Sequence, residues 1–340
     1  MGDLTDFLQS PVTGRGLHWT PDNRLATDGG PSYAFRDGVA CLLPEAGGGV
    51  AASDASQTVR DFYETEGWAE DDEGLFGDTK AFVDTRAVSL AFTRKCMARL
   101  SRHFSKGGRY LLDAGSGAIP HKEVLAYGDQ YEQRVCVDLA TSALRSARSK
   151  LGERGIYVQG DLTNLPFKTG SFYAVTCNHV IYQIPLEHQP AAFRELWRVL
   201  KPRGFGVVVY LWSYVPLARR LERLARLFMG KRVMDLVETA KPSEPLPELS
   251  HHPQRRSWFE AQDWPFRYTF DTFRIVDNAF LCSHISDDWR GRAFLRALFA
   301  SQQLAPGFCG RYGAFPAIII RKPRTAAWRS IVETPLTVPR

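Results

Sequence analysis

The sequence predicts an α/β protein with a Rossmann-like, doubly wound sheet, and three observations lead to this prediction. From residue 109 to residue 212, short apolar runs alternate with segments of helical periodicity, which is typical of a parallel sheet with helices on both faces. A glycine-rich turn follows the first of these runs. A last apolar run over 314–321 follows another turn, and we expect it to join the sheet as an antiparallel strand.

The chain ahead of this alternation predicts a small β-rich module. Residues 1–50 contain short strand-like segments divided by Pro, Gly, Asn and Asp, and a linker rich in Gly, Ala and Ser follows them. Residues 57–105 then predict helices, with Val88, Phe92 and Leu100 on one face. After the fifth core strand, roughly 211–310 predicts a helical, aromatic-rich insertion.

Composition limits the class of protein. The 340 residues, 44% of them hydrophobic, suffice for one large domain with appendages or for two domains. The sequence shows no apolar run of the roughly 18 residues that a membrane-spanning helix needs, and no secretory signal pattern. Its six cysteines include no C-x-x-C pair, so we expect a cytoplasmic protein with reduced thiols rather than a disulfide framework or a zinc site.

Positive charge is concentrated in one segment. The net charge is +6, and residues 201–274 hold 13 Lys and Arg against 8 Asp and Glu. Such a segment suits an anionic substrate, a membrane surface or nucleic acid, although a plain solvated surface has the same composition.

The glycine turn lies in the stretch LLDAGSGAIP, residues 111–120. A dinucleotide-binding loop has a third glycine where this chain has Pro120, so the match to that fingerprint is incomplete. Asp113 at the strand end would repel a pyrophosphate but attract a ligand with a positive centre and amine donors. Gly115 and Gly117 let the backbone pass close to such a ligand. S-adenosylmethionine, with its ammonium and sulfonium groups, has this chemistry.

Polar residues also end the next strands. Asp138 can accept hydrogen bonds from both hydroxyls of a ribose, and Asp161 can accept one from an adenine amino group while Leu162 packs against the ring. Asn178 and His179 end the fourth strand, where the methyl group would lie. Ligands of open α/β sheets bind at the carboxyl ends of the strands. A turn or helix cap explains each aspartate singly, but not their joint order.

Five motifs in this order resemble the class I S-adenosylmethionine-dependent methyltransferases. They are LLDAGSG, VCVDLA, GDLTNLPF, AVTCNHVIYQIP and RELWRVLKPRGFGVVV. The resemblance covers about 60–212 and the strand at 314–321, and it implies S-adenosyl-L-methionine as the cofactor. The expected cofactor contacts are Asp113, Gly115, Ser116, Gly117, Asp138, Leu139, Asp161, Leu162, Asn178 and Arg86.

Arg86 is expected to pair with the cofactor carboxylate, although it is equally ordinary as a surface arginine. Tyr63 and Trp68 lie in the helices before the first strand and are further candidates for the lining of the site.

The N-terminal module resembles a small zinc ribbon that precedes some methyltransferase domains and occurs in activators of tRNA methyltransferases. Ser10 and Thr13 stand where that ribbon has its first cysteine pair, and Thr27 and Gly30 stand near the second. Without four thiolates a tetrahedral zinc site cannot form, so we expect a ribbon that has lost its metal.

The chain therefore divides into six predicted segments. They are 1–50, the ribbon-like β module; 51–108, a linker and helices that close the cofactor site; 109–212, the cofactor-binding core; 213–310, a substrate-specificity insertion or lid; 311–323, the final core strand; and 324–340, a C-terminal tail.

Candidates for catalysis and acceptor binding follow from the chemistry of methyl transfer. The methyl group of a sulfonium is already activated, so transfer needs an in-line nucleophile about 3 Å away, and a base only if the acceptor must lose a proton. His179 and Tyr182 are the catalytic candidates, although a histidine at this place often only shapes the pocket. The substrate-binding candidates are Tyr210, Trp212, His251, His252, Arg255 and Trp258.

The insertion also contains a basic amphipathic segment, 217–232, with Leu217, Leu221, Leu224 and Phe228 expected on one face. Such a helix lies on a membrane surface or, as we expect more often, packs on its own domain and exposes its arginines.

The expected function is methyl transfer to a small-molecule acceptor, anionic or aromatic, at O, N or C in a specialised biosynthetic pathway. An RNA methyltransferase of rRNA or tRNA is the alternative, although the N-P-P-Y motif of many nucleic-acid amino methyltransferases does not follow the fourth strand. A lipid methyltransferase and a silent cofactor-binding partner subunit are further alternatives. The oligomeric state stays open.

Overall fold

The computed structural model describes residues 4–43, 64, 83–229 and 251–324. Three short strands near the N-terminus form an antiparallel sheet of their own: β1 (His18–Trp19), β2 (Leu25–Ala26) and β3 (Ser32–Tyr33).

A mixed sheet of nine strands forms the centre of the molecule. Its strands are β4 (Phe35–Arg36), β5 (Val39–Cys41), β6 (Gly108–Ala114), β7 (Tyr131–Asp138), β8 (Gly155–Gln159), β9 (Phe172–Asn178), β10 (Leu200–Val209), β11 (Arg267–Arg274) and β12 (Phe315–Arg321). Their order across the sheet is β11-β12-β10-β9-β6-β7-β8-β5-β4. Strands β5 to β10 are mutually parallel, and β12 runs antiparallel to β10. The prediction of a Rossmann-like sheet with an antiparallel last strand is confirmed.

Nine helices connect or flank these strands in the described part of the chain. They are α1 (Ala87–Leu100), α2 (Lys122–Leu125), α3 (Thr141–Leu151), α4 (Gln189–Arg198), α5 (Ala218–Met229), α6 (Arg256–Glu260), α7 (Asn278–His284), α8 (Trp289–Leu304) and α9 (Pro306–Tyr312). Helix α1 buries Val88, Phe92 and Leu100, as their spacing predicts. None of the helices described is both long and apolar enough to cross a membrane.

Both faces of the central sheet are covered. Leu111 and Leu112 are neighbours in β6, so their side chains point to opposite faces, and both are fully buried in separate apolar clusters. This is why the core strands are apolar runs rather than alternating patterns.

The N-terminal module extends the central sheet. Strand β5 pairs in parallel with β8, and β4 pairs with β5. Phe7 packs among the rings of Tyr110, Phe167 and Phe172, at centroid distances of 5.2, 6.0 and 5.8 Å. The β-rich character predicted for residues 1–50 is therefore present, and part of that segment belongs to the main sheet.

The predicted insertion at 213–310 contributes a strand as well as helices. Its strand β11 pairs with β12 at the edge of the sheet. Helix α5 packs through Leu221, Ala225 and Met229, whereas Leu224 and Phe228 are exposed. Of the expected apolar face, Leu217 and Leu221 pack inward as predicted. Leu224 and Phe228 do not, because the buried residues recur every four positions.

Candidate functional site

The glycine loop is a tight turn fastened to the neighbouring strand. Gly115 and Gly117 have φ values of +69° and +53°, in the left-handed region that favours glycine. A Cβ at Gly115 would overlap the side chain of Val180, just beyond β9. The amides of Gly115 and Ser116 both donate to the carbonyl of Val137, at 2.8 and 3.1 Å. The loop is therefore held at the carboxyl edge of the sheet, between β7 and the end of β9.

Asp138 ties this loop to the start of helix α3. Its Oδ2 accepts from the amide of Gly117 at 2.9 Å, and its Oδ1 accepts from the amide of Ala140 at 3.0 Å. Burial raises the pKa of Asp138 to about 6, and the charge of Asp113 adds to the rise while the backbone hydrogen bonds oppose it. A carboxylate with a raised pKa at a strand end is typical of a binding site.

Asp113 is paired with a residue that sequence analysis missed. Arg134, in the middle of β7, donates to Asp113 Oδ2 from Nε at 3.0 Å and from Nη2 at 2.6 Å. Both side chains are buried. Arg134 also donates through Nη1 to the carbonyls of Val124 and Leu125. Because both donors go to Oδ2, Asp113 Oδ1 accepts no hydrogen bond from the described residues. An arginine inside the apolar run of β7 was the available signal.

Asp161 and Leu162 follow β8 at the same edge. Asp161 Oδ1 accepts from the amide of Thr163 at 2.7 Å, which forms an Asx-turn. Leu162 is buried. The carbonyl of Leu139, just beyond β7, accepts from the side-chain Nε2 of Gln159 at 3.0 Å. The structure therefore brings the carboxyl ends of β6, β7 and β8 together, as the sequence predicted.

Glu64 is a second residue that sequence analysis missed. Its carboxylate accepts from the amides of Thr141 at 2.6 Å and Ser142 at 3.1 Å, so it caps helix α3 immediately beyond Asp138. Burial raises the pKa of Glu64, but these hydrogen bonds outweigh it and the pKa is lowered. The predicted candidates Tyr63 and Trp68 lie outside the described residues.

Arg86 lies at the start of α1 and is bound to other groups. It donates to Asp84 from Nε and Nη2, with the shortest distance 2.6 Å, and to the carbonyls of Leu281 and Ile285 at 2.7 Å each. Its contacts are with α7 and the following turn, and the structure records none with the glycine loop.

The end of β9 carries an unusual backbone conformation. His179 has φ +63°, which is uncommon for a residue other than glycine, and its amide donates to the carbonyl of Val209 at 3.1 Å. Its Nδ1 lies 3.1 Å from the hydroxyl of Tyr182. Burial, with the charges of Arg274 and His121, lowers the pKa of His179 to about 3. The imidazole is therefore neutral near pH 7.

Asn178, the last residue of β9, donates from Nδ2 to the hydroxyl of Thr176 at 3.0 Å. This bond fixes the amide beside His179.

Tyr182 is the centre of an aromatic cluster that includes several of the residues predicted to bind the methyl acceptor. Its ring lies 5.9 Å from that of Tyr210 and 5.6 Å from that of His251. Its carbonyl accepts from the amide of His252 at 2.6 Å. The structure thus brings the segment after residue 250 onto the end of the fourth core strand.

The other residues predicted to bind the methyl acceptor lie either in the buried core or towards the protein surface. Tyr210 is fully buried, and its hydroxyl donates to Gln189 Oε1 at 2.7 Å. Trp212 is buried and donates from Nε1 to the carbonyl of Gly310 at 3.1 Å. Arg255 is exposed, and Trp258 packs edge-on to Trp264. Tyr182 and His251 are accordingly better placed to touch an acceptor than Tyr210 or Trp212.

Arg274 is a third residue that sequence analysis missed. It ends β11 and is buried. Its guanidinium lies 5.0 Å from the ring centroid of Phe315, and the ring of His179 lies 5.2 Å from the same centroid. The ring of Phe315 therefore lies next to both the guanidinium of Arg274 and the imidazole of His179.

Comparison with known proteins agrees with this fold. Residues 112–208 match the family described as Methyltransferase domain. The demethylmenaquinone methyltransferase of Roseiflexus castenholzii is 32% identical over 126 residues, covering 32% of this chain and 52% of the relative. The ubiquinone/menaquinone biosynthesis C-methyltransferase of Yersinia enterocolitica is 34% identical over 105 residues, covering 29% and 41%. The chain thus spans about half the length of the curated relatives it matches.

Among solved structures, phosphoethanolamine N-methyltransferase 2 of Haemonchus contortus, in complex with S-adenosyl-L-methionine, matches with a TM-score of 0.46 and 16% identity. The match covers 78% of this chain and 60% of that one. The sheet order and the glycine loop are those of a Rossmann-like fold. The segment that matches the Methyltransferase domain family, residues 112–208, contains the glycine loop, Asp138, Asp161 and His179.

Proposed function

We propose that this protein transfers a methyl group from S-adenosyl-L-methionine to a small-molecule acceptor. The observation that carries the proposal is the position of Asp138, whose carboxylate is joined to the glycine loop on one side and to the start of α3 on the other. Its raised pKa adds weight, because the fold keeps a poorly solvated acceptor at the edge where ligands of α/β sheets bind.

The donors and acceptors at this edge fit the cofactor. Asp113 Oδ1, which accepts nothing from the described residues, is suited to the ammonium group. Asp138 is suited to the ribose hydroxyls, and Asp161 to the adenine amine. Leu139 and Leu162 supply apolar surface for the adenine ring. Ser116 and Asn178 complete the set of proposed contacts. Arg86 is not part of this set, because it is bound to Asp84 and to the carbonyls of Leu281 and Ile285.

The chemistry supplied by the bound cofactor is an activated methyl group. His179 and Tyr182 are proposed to face the acceptor. Because a pKa of about 3 keeps His179 neutral and makes it a weak base, its proposed role is to orient the acceptor through a hydrogen bond to a ring nitrogen. Its left-handed backbone and the contact with Tyr182 fix the ring, and fixed positioning is the main requirement for an in-line transfer.

The acceptor is proposed to be a ring-bearing or anionic small molecule in a biosynthetic pathway. The aromatic cluster around Tyr182 supports a ring. The names of the curated relatives, which are quinone methyltransferases, favour carbon as the atom methylated, and O and N remain within the proposal. His251, His252, Arg255 and Trp258 are proposed to shape the acceptor entrance.

An RNA acceptor is the second candidate, and the N-terminal module favours it. Ser10 Oγ accepts from the amides of Val12 and Thr13 at 3.2 and 3.1 Å and lies 2.7 Å from the hydroxyl of Tyr33. A Cβ on Gly30 would overlap Thr27 Oγ1 and lie 3.7 Å from Thr13 Cγ2. The four positions that resemble ribbon cysteines therefore cluster. We propose a metal-free ribbon in which Ser10 and Tyr33 replace the metal.

A lipid acceptor is less favoured. Exposed Leu227 and Phe228 on α5, beside Arg223 and Arg226, are the features that support contact with a membrane surface. Co-sedimentation with anionic vesicles would favour this candidate, and steeply salt-dependent RNA binding would favour the second.

Calorimetric titration tests the proposed function. S-adenosylmethionine is titrated into the wild type, Asp138→Ala and Asp129→Ala, which removes an exposed aspartate from the opposite end of the sheet. We expect micromolar-order binding to the wild type and to Asp129→Ala, loss of at least about tenfold in Asp138→Ala, and no binding of NAD. A folded wild type that does not bind S-adenosylmethionine would contradict the proposal.

A further inference from the structure

Three guanidinium groups are buried in the described part of the chain, and one of them differs from the others. Arg99, Arg134 and Arg274 are 8%, 2% and 3% exposed. Arg99 forms an ion pair with Asp271 at 3.0 Å, and Arg134 forms one with Asp113 at 2.6 Å. Arg274 forms no ion pair with any carboxylate that the structure describes. A buried charge without a counter-ion is expensive, so its presence requires an explanation.

The neighbours of Arg274 leave one edge of its guanidinium without an acceptor. Nη1 donates to Thr93 Oγ1 at 3.0 Å and to Asn278 Oδ1 at 2.9 Å, and both of these are neutral oxygens. Nε is buried and has no partner among the described residues, and no hydrogen bond from Nη2 to them is recorded. The Nε–Nη2 edge presents two parallel N–H groups, which match the two oxygens of a carboxylate.

Two carboxylates, Asp277 and Asp84, raise the pKa of Arg274, but each is hydrogen-bonded to other groups. Asp277 caps α7 by accepting from the amide of Phe280 at 2.7 Å. Asp84 is bound to Arg86 and to the hydroxyl of Ser89. Neither carboxylate neutralises the Nε–Nη2 edge, so this edge is left for a ligand.

Sheet topology places Arg274 on the acceptor side of the site. Strands β10 and β11 both run antiparallel to β12, so the C-terminal residue of β11 lies at the same edge as the glycine loop. Strand β11 is four strands away from β6 in the sheet. At about 4.8 Å per strand this separates their ends by roughly 19 Å. The guanidinium nevertheless reaches Phe315, which His179 also contacts.

We propose that Arg274 binds a carboxylate of the methyl acceptor and thereby holds the acceptor against His179. The proposal rests on the proposed methyltransferase function and names its substrate class, an acid. The bound carboxylate would supply the counter-ion that the described residues do not. The proposal thus assigns recognition of the acceptor carboxylate to Arg274, a buried residue of β11, rather than to the exposed Arg255.

The test uses benzoate as the probe and benzamide as its neutral counterpart. Both are titrated calorimetrically into full-length protein saturated with S-adenosylhomocysteine. We expect the wild type to bind benzoate at least tenfold more tightly than benzamide, and Arg274→Gln to lose this preference. Arg99→Gln is the matched control, since it removes a buried arginine from the same helix–strand contact whose charge is already paired. It is expected to retain the preference.

Arg274→Lys keeps the charge but not the two parallel donors, and we expect it to weaken benzoate binding about tenfold. This variant decides the question if Arg274→Gln does not fold. Equal binding of benzoate to the wild type and to either Arg274 variant would overturn the proposal, as would equal binding of benzoate and benzamide to the wild type.

The carboxylate of the cofactor is the other source of the same chemistry. S-adenosylmethionine and its decarboxylated analogue are therefore titrated into the wild type and Arg274→Gln. We expect the affinity of Arg274→Gln for both to be within threefold of that of the wild type. A tenfold loss for S-adenosylmethionine alone would assign Arg274 to the cofactor and overturn the acceptor proposal. If the wild type binds benzoate through Arg274 but not S-adenosylmethionine, the function proposed above fails while the anion site stands.

Discussion

The proposed cofactor side of the site, around Arg134, and the proposed acceptor side, around Arg274, differ in how a buried positive charge is compensated. On the cofactor side, Arg134 is neutralised by Asp113 and by two carbonyls, so the pair is complete within the fold. On the acceptor side, Arg274 has two neutral oxygens and no ion pair within the described residues. A completed pair holds two strands in register, whereas an uncompensated charge is a feature that only a ligand makes favourable.

This difference teaches how to separate supporting residues from binding residues. Burial alone does not distinguish them, since both arginines are almost inaccessible. Unpartnered N–H groups alone do not distinguish them either, because Nε and Nη2 of the ion-paired Arg99 also lack partners among the described residues. A carboxylate partner does, because Arg99 and Arg134 each have one and Arg274 has none within the described residues.

The largest expected effect is on the paired side. Asp113→Asn leaves Arg134 buried without its counter-ion, so the free energy of unfolding should fall by about 3–5 kcal/mol in urea denaturation. The double variant Asp113→Asn/Arg134→Met should recover most of this loss. A fall below about 1 kcal/mol in the single variant would show that the pair does not hold the strands together.

Asp138→Asn should separate binding from stability. It keeps the shape of the side chain but removes the anionic acceptor, so calorimetry should show S-adenosylmethionine affinity reduced by about 1.5–3 kcal/mol. The free energy of unfolding should fall by only about 1 kcal/mol, because the asparagine amide keeps one acceptor and loses the hydrogen bond from either Gly117 or Ala140. Unchanged affinity would move the ribose site away from Asp138.

Arg274→Met tests whether the fold needs the arginine that has no ion pair within the described residues. Removing an uncompensated buried charge should leave the free energy of unfolding unchanged or raise it by about 1 kcal/mol, whereas Arg134→Met should lower it by about 3–5 kcal/mol. Urea denaturation of the two variants in parallel measures the contrast. A large loss in Arg274→Met would mean that its contacts with Thr93 and Asn278 are what the fold requires.

The pH dependence of cofactor binding should report Asp138. Folding raises its pKa from 3.8 to about 6, so the folded protein holds this proton more tightly than the unfolded chain. The resulting contribution to stability is complete below about pH 4 and is lost as the pH rises through about 6. Binding needs the carboxylate, so affinity should weaken below about pH 6, by up to about tenfold per unit. The same titration with Asp138→Asn should be flat.

The smallest expected effect is at His179. Its pKa of about 3 keeps the ring neutral, so NMR spectra of ¹⁵N-labelled imidazole should show no titration of this residue between pH 5 and pH 9. An inflection of the His179 signals above pH 5 would show that its surroundings are more open to solvent.

The order of the core elements could be predicted from the sequence because it is encoded locally. Each apolar run, with the glycine or aspartate that follows it, identifies a strand and its carboxyl end, and this sufficed for Gly115, Asp138 and Asp161. The partners of these residues could not be predicted. Arg134 meets Asp113 only through strand pairing, and Glu64 meets α3 across 77 positions of the chain.

Strand β11 was missed for a related reason. Its sequence, RYTFDTFR, mixes charged and aromatic residues, since it lies near the edge of the sheet and only its second half is buried. Its partner β12 begins some forty residues later, after three helices. Tyr210 and Trp212 illustrate the converse case, because an aromatic residue at a strand end was expected to line the acceptor, and both are enclosed by the core instead.

The pairing of β5 with β8 has a consequence for the order in which the chain assembles. The residues of β5 leave the ribosome more than a hundred positions ahead of their partner, so this contact has a high sequence separation and forms late. Until then, β8 presents an unpaired edge, which is the kind of surface that recruits other chains. Strands β4 and β5 therefore prevent the edge of β8 from pairing with other chains. A truncated chain that lacks residues 1–43 should aggregate during expression, even with residues 112–208 intact.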